Sequence, residues 1–262
     1  MFACFDAGNS RLKWGLADAG GWRGQGWAEW SRLDRLAAQI HTWPALRENL
    51  WVSVAHPELE ARLLALLAAV LPDVPLRRIH ATAQAGGVTN GYSAPATLGA
   101  DRWCALIGAR ALERRACLVV MAGTATTVDS LDAAGNFLGG MILPGIQMMK
   151  ESLARGTARL PLADGAPAPF PRDTQSAIAT GCLEAQAGAI ERAFSRLPDA
   201  ACCILSGGAT PLLAPRLSLP LLQRPNLVLE GMRRIHQGSE DGIEDSKPIG
   251  ILAALRSDAS PS

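Results

Sequence analysis

Two hydrophobic periods alternate along this chain, and the switches between them outline an α/β protein. Residues 2–6 are an unbroken apolar run ending in a carboxylate, and Leu12-Lys13-Trp14-Gly15-Leu16 reads as its hairpin partner. Residues 50–54 form another short strand, closed by Pro57. Leu59, Leu63, Leu66, Leu67 and Val70 then recur at helical spacing and predict a helix over 58–71. A weak strand follows at 76–79, then a loop over 82–98 rich in Gly, Thr, Asn and Pro, of a length that commonly carries function. A helix over 100–115 puts Ala105, Ala109 and Leu112 on one face.

The second half repeats the alternation. Strands are expected at 117–121, 126–131 and 137–142, the last two joined by an Asp132-Ala133-Ala134-Gly135-Asn136 turn. Helices follow at 145–155 and 174–196, separated by a Pro/Ala-rich surface stretch at 161–172. Residues 201–206 and 226–229 read as strands, 237–247 as a loop, 248–256 as a closing helix and 257–262 as a frayed tail. The pattern divides near residues 110–117, giving domains 1–115 and 116–262.

A repeat relates the halves. Asp6-Ala7-Gly8-Asn9-Ser10 is echoed by Met121-Ala122-Gly123-Thr124-Ala125 at a constant offset of 115 residues, each copy following an apolar run. An apolar strand breaking twice into a small-residue turn points to two similar domains facing across a cleft. Backbone N–H groups of such turns can approach a phosphate closely. The acidic lip is single, because Met121 stands opposite Asp6.

Composition narrows the classes. Hydrophobic residues make up 48% of 262 and charged residues 19%, as a globular chain with a large core requires. A net charge of +1 gives no general electrostatic reason for nucleic acid or a membrane surface as partner. The six cysteines form no Cys-x-x-Cys pair and read as buried thiols of a reducing compartment, and the four histidines lack metal-ligand spacing. With no basic leader and no apolar run long enough to span a bilayer, a cytoplasmic location is expected.

Four segments carry candidate chemistry, each with a plainer alternative. Asp6 to Lys13 can hold Mg²⁺ through water and present a cation to a phosphate, or be an ordinary hairpin turn. Gly123-Thr124-Ala125-Thr126-Thr127-Val128-Asp129 offers N–H and O–H donors without bulk, or is simply a Thr-rich strand. In Gly91-Tyr92-Ser93-Ala94-Pro95-Ala96-Thr97-Leu98-Gly99-Ala100-Asp101-Arg102, Asp101 suits a general base and Arg102 a carboxylate anchor. Helix capping and a solvated terminal charge account for the same two residues. Gly139-Gly140, Gly145 and Thr180-Gly181 mark close approaches to a neighbouring element, a ligand or a second subunit, and Gly207-Gly208 follows the strand at 201–206.

Taken in this order, Asp-x-Gly-Asn-Ser at 6–10, Gly-Tyr-x-x-Pro-x-x-Leu-Gly-x-Asp-Arg at 91–102, Gly-Thr-Ala-x-Thr at 123–127 and Gly-Gly-x-Ile-x-Pro-Gly at 139–145 resemble type III pantothenate kinase. The resemblance implies an actin/hexokinase/Hsp70-like fold of two ribonuclease-H-like lobes, 1–115 and 116–262. It also implies ATP- and Mg²⁺-dependent phosphorylation of pantothenate, the first step of coenzyme A synthesis. By position it makes Asp6, Ala7, Gly8, Asn9, Ser10, Arg11, Leu12 and Lys13 the phosphate loop, with Asp6 governing Mg²⁺ and Thr124 touching ATP. Asp101 becomes the base, while Tyr92, Gly99, Ala100, Asp101 and Arg102 hold pantothenate. A homodimer is implied, with Thr180 reaching the partner's substrate pocket. The family usually carries a K⁺-binding Asp where this chain has Met121, whose thioether is a poor ligand for a hard cation, so activity independent of K⁺ and NH₄⁺ is expected. A related kinase for another hydroxy acid or sugar, a non-catalytic regulatory protein and an actin-like switch are the competing classes.

Overall fold

A computed structural model describes residues 1–238 and 243–245. The expected closing helix at 248–256, the tail at 257–262 and part of the 237–247 loop lie outside the described residues. In the first half, β1 (Phe2–Ala7), β2 (Leu12–Asp18) and β3 (Gly21–Ala28) form an antiparallel meander, followed by α1 (Leu33–Ile40). Strand β4 (Glu48–Ser53) pairs parallel to β1, α2 (Pro57–Val70) crosses over, and β5 (Leu76–Ile79) pairs parallel to β4.

A short hairpin, β6 (Gln84–Ala85) and β7 (Val88–Asn90), leads to helix α3 (Ala100–Leu112). The meander then recurs as β8 (Cys117–Ala122), β9 (Ala125–Leu131) and β10 (Asn136–Pro144), followed by α4 (Ile146–Gly156) and the long α5 (Thr174–Arg196). Strand β11 (Cys202–Ser206) pairs parallel to β8, and after the short α6 (Thr210–Leu213), β12 (Leu221–Gln223) pairs parallel to β11. The chain continues through α7 (Leu227–Gly238) to β13 (Ile243–Asp245), which joins the first sheet beside β5.

The strand orders are β13-β5-β4-β1-β2-β3 and β12-β11-β8-β9-β10-β7-β6. Counted from each half's own first strand, both contain the order 3-2-1-4-5, the duplication expected from the paired turns and the ribonuclease-H-like order implied by the resemblance. Each central strand is sandwiched between two apolar layers, so β1 is buried at every position while the edge strand β3 alternates half-buried and exposed residues.

Three cores fill the layers. One lies outside the first sheet, with Leu36, Leu63 and Leu67 of α1 and α2 against Phe5 and Trp51. A second lies outside the second sheet, with Cys182, Leu183 and Ile190 of α5 against Val120 and Leu205. The third lies between the sheets, where α3 and α7 contact Cys4 and Leu50 on one side and Val119 and Ile204 on the other. The two lobes therefore share a helical layer. Where the helices cross, Gly231 packs on the Cys104 carbonyl and Gly108 on the Leu227 carbonyl, an approach that any Cβ would block. The Trp22 indole of β3 reinforces the crossing by donating to Glu230 Oε2 at 3.0 Å.

Three sequence expectations change. Residues 226–229 are not a strand: Asn226 takes a left-handed turn at φ 56° and Leu227 opens α7. A four-residue apolar run does not distinguish the two periods, and the helical stripe Leu227, Val228, Met232, Ile235 shows only over the longer window. The expected loop at 82–98 contains β6 and β7, and β7 extends the second sheet by pairing parallel to β10. Ile243–Asp245, read as loop, pairs antiparallel to β5. The buried-thiol reading holds: five cysteines are buried, Cys202 is half-buried, and none is in a disulfide.

Replacing Gly231 by alanine forces α3 and α7 apart, an overpacking cost of about 1–3 kcal/mol. A matching fall in the urea midpoint is expected, with an unchanged midpoint as the contrary result.

Candidate active site

Each lobe delivers its small-residue turn to the same place. In the first, Gly8 N–H donates to the Arg11 carbonyl at 3.1 Å and tightens the turn, while the Trp30 indole donates to the Gly8 carbonyl at 2.9 Å. Asn9 fixes the turn to the neighbouring loop, its amide donating to the Val54 carbonyl at 3.2 Å and its oxygen accepting from His56 N–H at 2.9 Å. In the second lobe, Gly123 N–H donates to the Ala125 carbonyl at 3.0 Å, and Gly145 N–H donates to the Thr124 carbonyl at 2.9 Å. Gly145 and Gly207 pass so near the turn's backbone that a side chain at either would collide with it. The two turns meet through a 2.8 Å hydrogen bond between the Ser10 and Thr124 hydroxyls.

Behind this junction, strand register decides which side chains enter the cleft. Cys4 of β1 belongs to the inter-sheet core, so Asp6, two residues on, is directed to the same side. Lys13 is its cross-strand partner, with Nζ 3.7 Å from Oδ2. Burial pushes the Asp6 carboxyl up to about 6; Lys13 pulls against that shift and the charge of Asp101 adds to it.

Asp101 and Arg102 occupy the first turn of α3, as expected. Asp101 is half-buried, with its carboxyl raised chiefly by burial and held back by the Arg102 N–H and guanidinium and by Lys13. The N-cap residue Gly99 leaves space for the Asp101 carboxylate, which a Cβ there would contact at 2.8 Å. Ala100 is half-buried in the same turn.

Arg102 is not a solvated helix-terminal charge. It is only 4% exposed, and its guanidinium forms a two-point ion pair with Asp129 of β9, Nε donating to Oδ2 at 3.1 Å and Nη2 to Oδ1. Nη1 donates to the Tyr92 hydroxyl at 2.8 Å. Burial opposes the charge of Arg102, but the hydrogen bonds and charge of Asp129 outweigh it and keep the guanidinium ionised. Gly140 of β10, opposite Asp129 in register, leaves the space that the pair fills. Neighbouring Gly139 takes φ 121° at a break in register, so the Gly139-Gly140 pair is both a bulge and a close approach.

Thr180 stands apart from these residues. Its hydroxyl donates to the Ser176 carbonyl at 2.7 Å and accepts from Ala168 N–H at 3.1 Å. A Cβ on the adjacent Gly181 would meet open space, so packing among the described residues does not account for that glycine.

Two contributors carried no role in the sequence reading. Asp129 closes the second motif, and a carboxylate inside a Thr/Val strand directed at the core was the available signal. Gln186 is fully buried on α5, where it hydrogen-bonds the Thr126 hydroxyl at 2.7 Å and donates to the Pro144 carbonyl at 2.6 Å, bracing the second turn. No local pattern marks Gln186 in an alanine-rich helix that also carries Gln175.

The side chains present bear differently on the two implied ions. No cluster of three or more metal-ligating side chains occurs among the described residues. Mg²⁺ requires none, since it commonly binds through one or two carboxylates together with substrate phosphates, and Asp6 is a buried carboxylate at the first small-residue turn. K⁺ would face Met121, whose register partners are Thr127 and Ser206. The hydroxyls of both are buried, so the position offers neutral oxygens and a thioether but no carboxylate of its own.

Comparison with known proteins agrees with this architecture. The family model for type III pantothenate kinase matches residues 2–196. The type III pantothenate kinase of Dechloromonas aromatica (strain RCB) is 48% identical over 236 residues, covering 90% of this chain and 98% of that protein. That of Azoarcus sp. (strain BH72) is 46% identical over 257 residues, covering 97% of each. Among solved structures, a Baf family transcriptional activator from Campylobacter jejuni aligns with a TM-score of 0.59 at 20% identity, over 90% of this chain and 97% of that one. The activator of the 2-hydroxyisocaproyl-CoA dehydratase from Clostridium difficile aligns at 0.51 and 10% identity, over 89% and 92%. At such identities these two speak for the fold alone, that of the actin-like ATPases. Family model and relatives together span nearly the whole molecule, and the chain belongs to the type III pantothenate kinase family.

Proposed function

We propose that this protein transfers the γ-phosphoryl group of ATP to the terminal hydroxyl of pantothenate, the first step of coenzyme A synthesis. The observation that carries the reading is the junction of the two turns, with Ser10 bonded to Thr124 above the Asp6, Lys13 and Asp101 cluster. Residues 6–13 and Thr124 would bind the phosphates through backbone N–H groups, hydroxyls and the Lys13 ammonium. Mg²⁺ arriving with ATP would sit near Asp6, through water, and neutralise phosphate charge.

Asp101 takes the proton of the attacking hydroxyl; its oxygen bonds to the γ-phosphorus as the bond to the β–γ bridging oxygen breaks in line. Its carboxyl, raised by burial, makes it a stronger base than an exposed aspartate. Arg102 and Tyr92 meet the substrate carboxylate, with Gly99 and Ala100 lining the approach. Residues 1–115 and 116–262 serve as the two lobes of this cytoplasmic enzyme, tied together by α7 and the β6–β7 hairpin. A homodimer with Thr180 at the partner's pocket belongs to the same reading. Gly181 and Gly188 face outward on α5 with open space before them, which permits close approach of a second copy.

Asp101→Asn should lower kcat by about 10²–10⁴-fold with the fold intact. Steady-state kinetics beside a melting curve check this, and near-wild-type turnover refutes the base assignment. Since Met121 supplies no carboxylate, rates in sodium-only and potassium buffers should agree; a large potassium stimulation would overturn K⁺ independence.

Asp6 also links function to stability. Its folded carboxyl, at about 6, lies above the ordinary 3.8, so the folded state holds the extra proton and loses stability as pH rises from about 4 to 6. The loss is on the order of 3 kcal/mol at most. Asp6→Asn should therefore raise the melting temperature of the nucleotide-free protein at pH 8 and lose that advantage at pH 4, while activity collapses. An equal effect at both pH values contradicts the assignment.

A further inference from the structure

Asp129 is fully buried, and among the described residues its charge is paired with the Arg102 guanidinium. A guanidinium carries five N–H donors in a rigid plane. The Nε and Nη2 donors facing Asp129 are engaged by its two oxygens, and one Nη1 donor is engaged by Tyr92. The remaining two, one on each terminal nitrogen, have no partner among the described residues, and such a pair can grip a carboxylate at two points. Because Tyr92 accepts from Nη1, its own hydroxyl proton is left to donate beside them.

Asp129 is itself held firmly. Its strand neighbours in register are Val119 and Gly140, and a Cβ at Gly140 would strike both its carboxylate and Nη2 of Arg102. The guanidinium also lies 5.6 Å from the Tyr92 ring centre and 5.7 Å from that of Phe137, which limits its swing. The pair is neutral overall, so a substrate carboxylate would be selected by the direction of the free N–H groups rather than by net positive charge.

We infer that Asp129 is a positioning residue for substrate recognition, fixing the Arg102 fork so that its two free donors face the carboxylate of the incoming acid. This rests on the reading that Arg102 meets that carboxylate. The role belongs to the second lobe, and it makes acid recognition depend on β9 as well as on the 91–102 segment.

The test measures kinetics of Asp129→Asn, Asp129→Glu and Arg102→Ala with pantothenate and with its alcohol analogue, in which CH₂OH replaces the carboxylate. Asp129→Asn should raise the pantothenate KM by about 10- to 100-fold, the span of a lost charge-assisted contact, while kcat and the ATP KM stay near wild type. The KM of the alcohol analogue should hardly move. Asp129→Glu keeps the charge but pushes the fork by a methylene; it should show the same split and serves if the asparagine variant does not fold. A wild-type pantothenate KM in a folded Asp129 variant, with a raised KM in Arg102→Ala, overturns the role of Asp129. Equal KM increases for the acid and the alcohol reduce Asp129 to a structural part and overturn it too. An unchanged pantothenate KM in Arg102→Ala would instead remove the underlying reading of Arg102.

Discussion

The close crossing of α3 and α7 is the constraint on which the rest of the molecule depends. Two sheets of the same strand order could pack in many ways, but here both rest their inner faces on this one helical layer. Gly108 and Gly231 let the helix backbones touch, so apolar surface from both lobes is removed from water in a single core. The crossing also sets where α3 begins, which is the mouth of the cleft. Asp101 and Arg102 reach the paired turns because the far end of their helix is clamped between the lobes.

Around that clamp the site gathers charge where water is scarce. Asp6, Asp101, Asp129 and Arg102 are buried or half-buried together, an arrangement that disfavours folding unless partners compensate. Arg102 and Asp129 compensate one another, and such a pair is a better device for specifying geometry than for adding stability. Asp6 is only partly compensated by Lys13, and its raised carboxyl records the deficit. A cationic ligand at the phosphate turn would relieve it, so the same strain that weakens the empty protein favours the loaded one.

Much of this was legible in the residues. The 115-residue offset between the two turns announced a duplicated meander, and both sheets carry it. Helix α5 follows its apolar periodicity from end to end, because a long amphipathic segment averages out local ambiguity. Short elements were not legible: Leu227-Val228-Leu229 fits a strand as well as a helix until its burial between two sheets decides, and Val88–Asn90 is a strand because β6 and β10 flank it. Likewise Arg102 was placed correctly at a helix start, while its removal from solvent depends on Asp129, which lies on the other lobe.

By itself, then, the sequence determined the periodic elements, the duplicated strand–turn unit and the family motifs, since each is written within a few neighbouring residues. Only the tertiary structure decided which of those residues meet. Ser10 bonds to Thr124 and Arg102 pairs with Asp129 because two sheets share one helical layer. No local period encodes such contacts: they depend on packing between segments far apart in the chain, and so does the buried setting that shifts the carboxyls of Asp6 and Asp101.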